Sequence, residues 1–204
     1  MAEPPKQNNT LLEFYFMRHA RTVANENKVA DGGDNAQTEL APSASDDIAK
    51  ARDYLQNIEG SIGTIYHTEM LRSFETASQI NNNLRRPMAL SNAFNEQRLG
   101  QWEGVSWEDA AAYYDSGEDP PGGEANTEFI KRLQRGLQGL SEHEVEDGKV
   151  PLVVSHGGVW LGIHKLCGIE SNDWPENCDI FKARVSGNWD NPTLEYEHVF
   201  GIDA

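Results

Sequence analysis

Cysteine is scarce in this chain: Cys167 and Cys178 are the only two among 204 residues. Two cysteines give no disulfide framework, and no Cys/His spacing follows the pattern of a zinc site. The default compartment for such cysteine usage is a reducing cytoplasm. Positive charge is scarce too, with 17 Lys and Arg against 33 Asp and Glu and a net charge of −16. That imbalance argues against a nucleic acid or an anionic membrane as partner. It also means that an anionic ligand would need the few cations gathered in one cleft. No apolar run is long enough to cross a bilayer. Residues 1–10 are polar and proline-bearing, without the apolar core of a signal peptide, and are predicted as a loose tail.

What is present is a globular composition, 38% hydrophobic and 25% charged, sized for a single domain over 1–204. Strand-like and helix-like segments alternate, the pattern of a parallel sheet covered on both faces. Leu11 to Met17, Ile62 to Tyr66 and Val150 to Val154 read as buried strands. Helical spacing marks Ser45 to Ile58, Asn126 to Leu140 and Val159 to Cys167. Ile180 to Val185 and Thr193 to Val199 read as a hairpin joined by residues 186–192. Residues 93–125 differ from the rest. They hold Trp102, Trp107, Tyr113 and Tyr114 and then a Pro-Gly-rich turn, which predicts a lid-like insertion or a surface excursion packed by its own aromatics.

Two of the strands end in a histidine: Phe-Tyr-Phe-Met-Arg18-His19 and Val-Val-Ser-His156-Gly-Gly158. Ligands of open α/β sheets bind beyond the carboxyl ends of the strands, so the pair predicts one cleft. After the strand that ends at His67 comes a helix for which Thr68 is the expected N-cap, with Arg72 in its opening turns. A helix start and an arginine together favour an anion. Arg18, Arg72, His19 and His156 therefore suit a tetrahedral dianion, since a guanidinium fork donates two hydrogen bonds to phosphate oxygens. A neutral imidazole can act as the nucleophile of phosphoryl transfer. Glu96, in the insertion, is a candidate proton donor. The other histidines, among them His67, His164 and His198, read as structural.

These segments resemble the histidine phosphatase superfamily, the phosphoglycerate mutase-like family, from about Phe14 to Gly168. Arg18-His-Ala-Arg-Thr22-Val-Ala-Asn25 resembles its opening motif, with Ala20 in place of glycine. Thr68-Glu-Met-Leu-Arg72-Ser-Phe-Glu-Thr-Ala77 is similar to its second element, and Glu96 through Gly104 to its acid motif. Pro121-Gly-Gly-Glu124 and Ser155-His-Gly-Gly158 complete the order. The resemblance implies a three-layer α/β/α sandwich and a metal-independent, cofactor-free phosphatase acting on a small phosphorylated substrate. It implies that His19 is the nucleophile and Glu96 the general acid, with Arg18, Asn25, Arg72, His156 and the Gly157 backbone holding phosphate. Leu161 stands where relatives often carry arginine, so the expected substrate has less negative charge. A mutase and a non-catalytic phospho-ligand binder are the alternative readings. Substrate identity and oligomeric state are not specified by the pattern.

Overall fold

Strand β1 (Thr10–Arg18) alternates its side chains between two apolar layers. Phe14 and Phe16 enter one buried cluster and Tyr15 and Met17 the other. In this computed structural model, which describes residues 9–143, 148–171 and 174–202, β1 lies inside a six-stranded sheet. Its companions are β2 (Ile62–His67), β3 (Met88–Leu90), β4 (Val150–Ser155), β5 (Ile180–Asn188) and β6 (Asn191–Phe200), in the order β3-β2-β4-β1-β5-β6. The first four are mutually parallel, while β5 runs antiparallel to β1 and β6 antiparallel to β5.

Helix α1 (Val23–Glu26) is one short turn. The longer helices are α2 (Ala44–Asn57), α3 (Leu71–Leu84), α4 (Trp107–Ser116), α5 (Asn126–His143) and α6 (Gly157–Leu166). α2 and α3 cover the Tyr15/Met17 face through Ile48, Ala51, Leu55, Ala77, Ile80 and Leu84. α5 and α6 cover the Phe14/Phe16 face through Phe129, Leu133, Leu137, Trp160 and Ile163. This is the three-layer α/β/α sandwich around a mostly parallel sheet that the sequence predicts.

Several boundaries depart from the expectation. Thr10 already belongs to β1, and Asn9 Nδ2 donates to Gly187 O at 2.6 Å; residues 1–8 of the expected tail lie outside the described residues. The edge strand β3 has no apolar periodicity to announce it. It owes its place to pairing of Met88, Ala89 and Leu90 with the end of β2. The hairpin is tighter than predicted, because Asn188 Oδ1 accepts the N–H groups of Asp190 and Asn191, each at 3.0 Å, and leaves a two-residue turn. Pro192 is accommodated because β6 is an edge strand, where a missing N–H breaks no ladder.

Thr68 is not the cap of α3. Met70 is extended at that position, and Leu71 N–H is taken by Ala36 O at 2.8 Å. The Thr68 hydroxyl turns instead toward Met70 N and His156. Both cysteines are free thiols, and no described helix is long and apolar enough to cross a membrane.

Candidate active site

Sheet register brings the two histidines together. β1 and β4 pair in parallel so that Arg18 stands opposite Ser155, and the His19 N–H donates to Ser155 O at 2.8 Å. The next residue on each strand is a histidine, and the two ring centroids lie 5.2 Å apart. His19 Nδ1 lies 2.8 Å from Ala20 O. A carbonyl can only accept, so Nδ1 carries the proton and Nε2 keeps the lone pair. Both rings are buried. Desolvation first, and then the positive charge of Arg72 and Arg18, hold His19 well below the usual histidine pKa. His156 is depressed in the same way, by burial and by Arg72 ahead of the others. Two neutral imidazoles therefore face each other at neutral pH.

The arginines approach from two sides. Arg72 is fully buried; its Nη2 donates to the Asp31 and Gly32 carbonyls and its Nη1 to Asn35 O, each at 3.1 Å. Its Nη1 also pairs with the Asp31 carboxylate at 3.3 Å. Arg18 Nη1 donates to Pro175 O at 2.6 Å. The Nε of each arginine, and Nδ1 of His156, are buried without a hydrogen-bond partner. The Nε2 of His156 meets the Thr68 hydroxyl at 3.1 Å, and that hydroxyl also accepts Met70 N–H at 3.3 Å.

Glu96 reaches the site from the 93–125 segment. Its two oxygens accept Gln97 N–H and Gly158 N–H, each at 2.9 Å. Burial pushes its pKa up, against the pull of those N–H groups and of Arg72 and Arg18. The approach requires glycine: a Cβ on Gly158 would stand 2.4 Å from Glu96 Oε1, and one on Gly157 2.5 Å from the Trp174 ring. Arg132 of α5 anchors the segment, gripping the Glu124 carboxylate with Nε and Nη2 at 2.8 and 2.6 Å. It also donates to the carbonyls of Ala93 and Asn95, each at 2.9 Å.

A cavity of about 310 Å³ opens over these groups. Arg18, His19, Asn25, Glu96 and Gly157 line it, whereas Arg72 and His156 are buried and do not form its wall. Leu99, Trp107 and Tyr114 of the 93–125 segment form another side. Sequence reasoning overlooked Asp31, Trp174 and Glu176, which also line the cavity. It overlooked as well Asn177, whose Nδ2 donates to His19 O at 3.0 Å and Asn25 Oδ1 at 3.1 Å. The last three sit between α6 and β5 in a stretch with no periodicity, and only the isolated Trp174 was a signal. Of the other histidines, His67 packs on Phe74, His164 is buried against Trp160 and Tyr196, and His198 pairs with Asp179 at 3.1 Å. Among the described residues no cluster of three or more His, Cys, Asp or Glu could hold a metal ion.

The family model of the histidine phosphatase superfamily (branch 1) matches residues 14–186. The chain belongs to this superfamily. It is 26% identical over 159 residues to a Schizosaccharomyces pombe protein named "Probable phosphatase C1620.13", covering 74% of this chain and 55% of that protein. It is 26% identical over 150 residues to the "Bifunctional protein Rv2228c" of Mycobacterium tuberculosis, covering 69% of this chain and 40% of that one. The chain thus spans about half, or less, of the length of these relatives. Its fold superposes on that of a mycobacterial glucosyl-3-phosphoglycerate phosphatase with a TM-score of 0.74 at 17% identity, over 91% of this chain and 97% of the other. A Bacillus stearothermophilus protein, YhfR, gives 0.73 at 19% identity, over 93% and 98%. Within the superfamily pattern, Ala20 is accommodated without strain. It is not among the residues with positive φ, its methyl is buried beside Tyr15 and Met17, and its N–H donates to Thr76 Oγ1 at 3.0 Å.

Proposed function

We propose that this histidine phosphatase superfamily member is a phosphomonoesterase that transfers a phosphoryl group from its substrate to Nε2 of His19 and then to water, without a metal. One observation carries the reading. Three buried groups without partners, Arg18 Nε, Arg72 Nε and His156 Nδ1, surround a neutral imidazole whose other nitrogen is already committed. An unsatisfied buried donor costs about 1–3 kcal/mol, and three equatorial phosphoryl oxygens relieve that cost best when their charge is highest. On this reading the Thr68 hydroxyl, which accepts from Met70, donates to His156 Nε2, the tautomer that leaves a proton on His156 Nδ1 as a third donor. Asn25, fixed by Asn177, and the Gly157 N–H at the start of α6 complete the phosphate contacts.

In the first step His19 Nε2 attacks phosphorus and the P–O bond to the leaving group breaks. Glu96, whose raised pKa keeps more of it protonated, delivers its proton to the departing alkoxide. In the second step the Glu96 carboxylate takes a proton from water, which attacks the phosphohistidine and releases inorganic phosphate with His19 restored. The charge that a metal would supply comes from the two arginines. Brief incubation with a phosphorus-labelled phosphomonoester is expected to give an acid-labile, base-stable adduct at His19, with phosphate released on turnover. His19→Ala loses both. Near-full activity of that variant overturns the reading; adduct transfer to a second hydroxyl instead of water identifies a mutase, and binding with no adduct identifies a binder.

A further inference from the structure

The walls of the cavity differ from its floor. Beyond Arg18 no lysine or arginine among the described residues lines it, while Asp31, Glu96 and Glu176 do. The remaining lining is mostly apolar or aromatic: Val29, Ala30, Leu99, Trp107, Ala110, Ala111, Tyr114 and Trp174, with Trp174 packed edge-to-face on Tyr114 at 5.3 Å. Burial and the nearby Glu96 and Glu103 hold the Tyr114 phenol neutral. Trp107 and Trp174 remain substantially exposed, 44% and 41%. Large aromatic faces left open at a cavity rim are ready-made contact surface for a planar or apolar group. Leu161 does not restore a cation to this cavity; it lines a neighbouring one of about 250 Å³ that shares Tyr114 and Trp174 and whose lining includes Lys165 and Asp115.

From this we infer that the leaving-group site takes a compact aromatic or apolar alcohol, uncharged or cationic, with Trp107, Tyr114 and Trp174 as its contact surface and Glu176 as the residue that rejects anions. The inference rests on the phosphatase reading for the position of the phosphoryl group, and it names the substrate class. The volume sets the size, since about 310 Å³ is near the bottom of the roughly 300–1,000 Å³ range of ligand pockets. Charge sets the sign. With Arg18 and Arg72 engaged by the phosphoryl oxygens and Asp31 already paired with Arg72, a carboxylate or second phosphate on the leaving group meets Glu176 and no further cation among the described residues. A neutral ring instead covers the open faces of Trp107 and Trp174.

The test separates binding from turnover by using phosphonates, which cannot be hydrolysed. Methyl-, benzyl-, 4-carboxybenzyl- and 4-(aminomethyl)benzylphosphonate are titrated into the full chain by calorimetry. Benzylphosphonate is expected to bind at least about tenfold more tightly than methylphosphonate, the discrimination a filled apolar pocket commonly gives. The carboxybenzyl compound should bind about tenfold or more weakly than the aminomethyl one. Trp174→Leu should abolish the preference for benzyl over methyl, and Glu176→Gln, a change at an exposed side chain, should narrow the gap between the amine and the carboxylate. Equal affinities for methyl and benzyl, or tighter binding of the carboxylate, overturn the assignment whether or not the protein is active. The same four groups presented as phosphate esters report the underlying reading separately. Phosphate release from none of them, with the binding preferences intact, sinks the phosphatase and leaves the pocket standing.

Discussion

Replacing Gly158 by alanine perturbs Glu96 without touching its chemistry. The added Cβ would stand 2.4 Å from Oε1 and 3.0 Å from both Cδ and Oε2, against at least 3.4 Å for ordinary contact. Glu96 must therefore retreat by about 1 Å, and the 2.9 Å hydrogen bond from Gly158 N–H to Oε2 is lost or bent. Helix α6 cannot give instead, because Val159, Trp160 and Ile163 are fully packed against the sheet. A 1 Å misplacement of a catalytic group costs on the order of a hundredfold, and removing a general acid outright costs about a hundred- to ten-thousand-fold. The loss must also depend on the leaving group. A strongly basic alkoxide needs the proton, whereas p-nitrophenolate leaves almost unaided. Single-turnover phosphorylation rates should therefore fall about a hundredfold for an alkyl phosphate and only a few-fold for p-nitrophenyl phosphate. Glu96→Gln should show the same contrast at least as strongly, while vanadate binding stays much closer to the parent than after Arg72→Ala. Overpacking itself costs about 1–3 kcal/mol, so a urea titration must first show the variant folded. Equal slowing of both substrates in Gly158→Ala and Glu96→Gln would refute Glu96 as the leaving-group acid.

Activity should survive exhaustive chelation by EDTA; loss that is restored by magnesium, manganese or zinc points to a different mechanism. Stability should fall as the solution is acidified from pH 7. His19 and His156 have folded pKa values below the unfolded value of about 6.5, so the unfolded chain binds more protons, and their contribution is complete above that pH and lost below it. Glu96, Asp31 and Glu103, each raised by burial, act in the opposite sense, so the histidine contribution is read by comparison with a variant that lacks both rings. Urea midpoints between pH 7 and 5.5 should flatten in a His19→Gln/His156→Gln variant, and an unchanged slope removes the two histidines as its cause. Arg132→Met breaks a partly buried pair and frees the Ala93 and Asn95 carbonyls, so it should destabilise by about 2 kcal/mol and slow alkyl phosphates more than p-nitrophenyl phosphate. Uniform slowing of the two substrates would show that Arg132 does not act through Glu96.

What the sequence determined by itself was local and periodic. Apolar runs ending in Arg18-His19 and Ser155-His156 identify buried parallel strands with chemistry at their carboxyl ends, and the order of short motifs identifies the superfamily. Helical spacing located α2, α5 and α6 to within a few residues, because burial of one face imposes the same period on any helix. The tertiary structure decided the rest. Which nitrogen of His19 is free depends on the carbonyl of Ala20, and the paired role of Thr68 depends on a helix that begins two residues later than its hydroxyl suggests. Asp31, Trp174, Glu176 and Asn177 come to the site from irregular segments, where no repeat links sequence spacing to direction. Glu96 was legible as a candidate acid, but its raised pKa arises from burial between chain segments 62 residues apart. Desolvation is a property of the packed surroundings and not of the residue, so no pattern within a single segment can carry it.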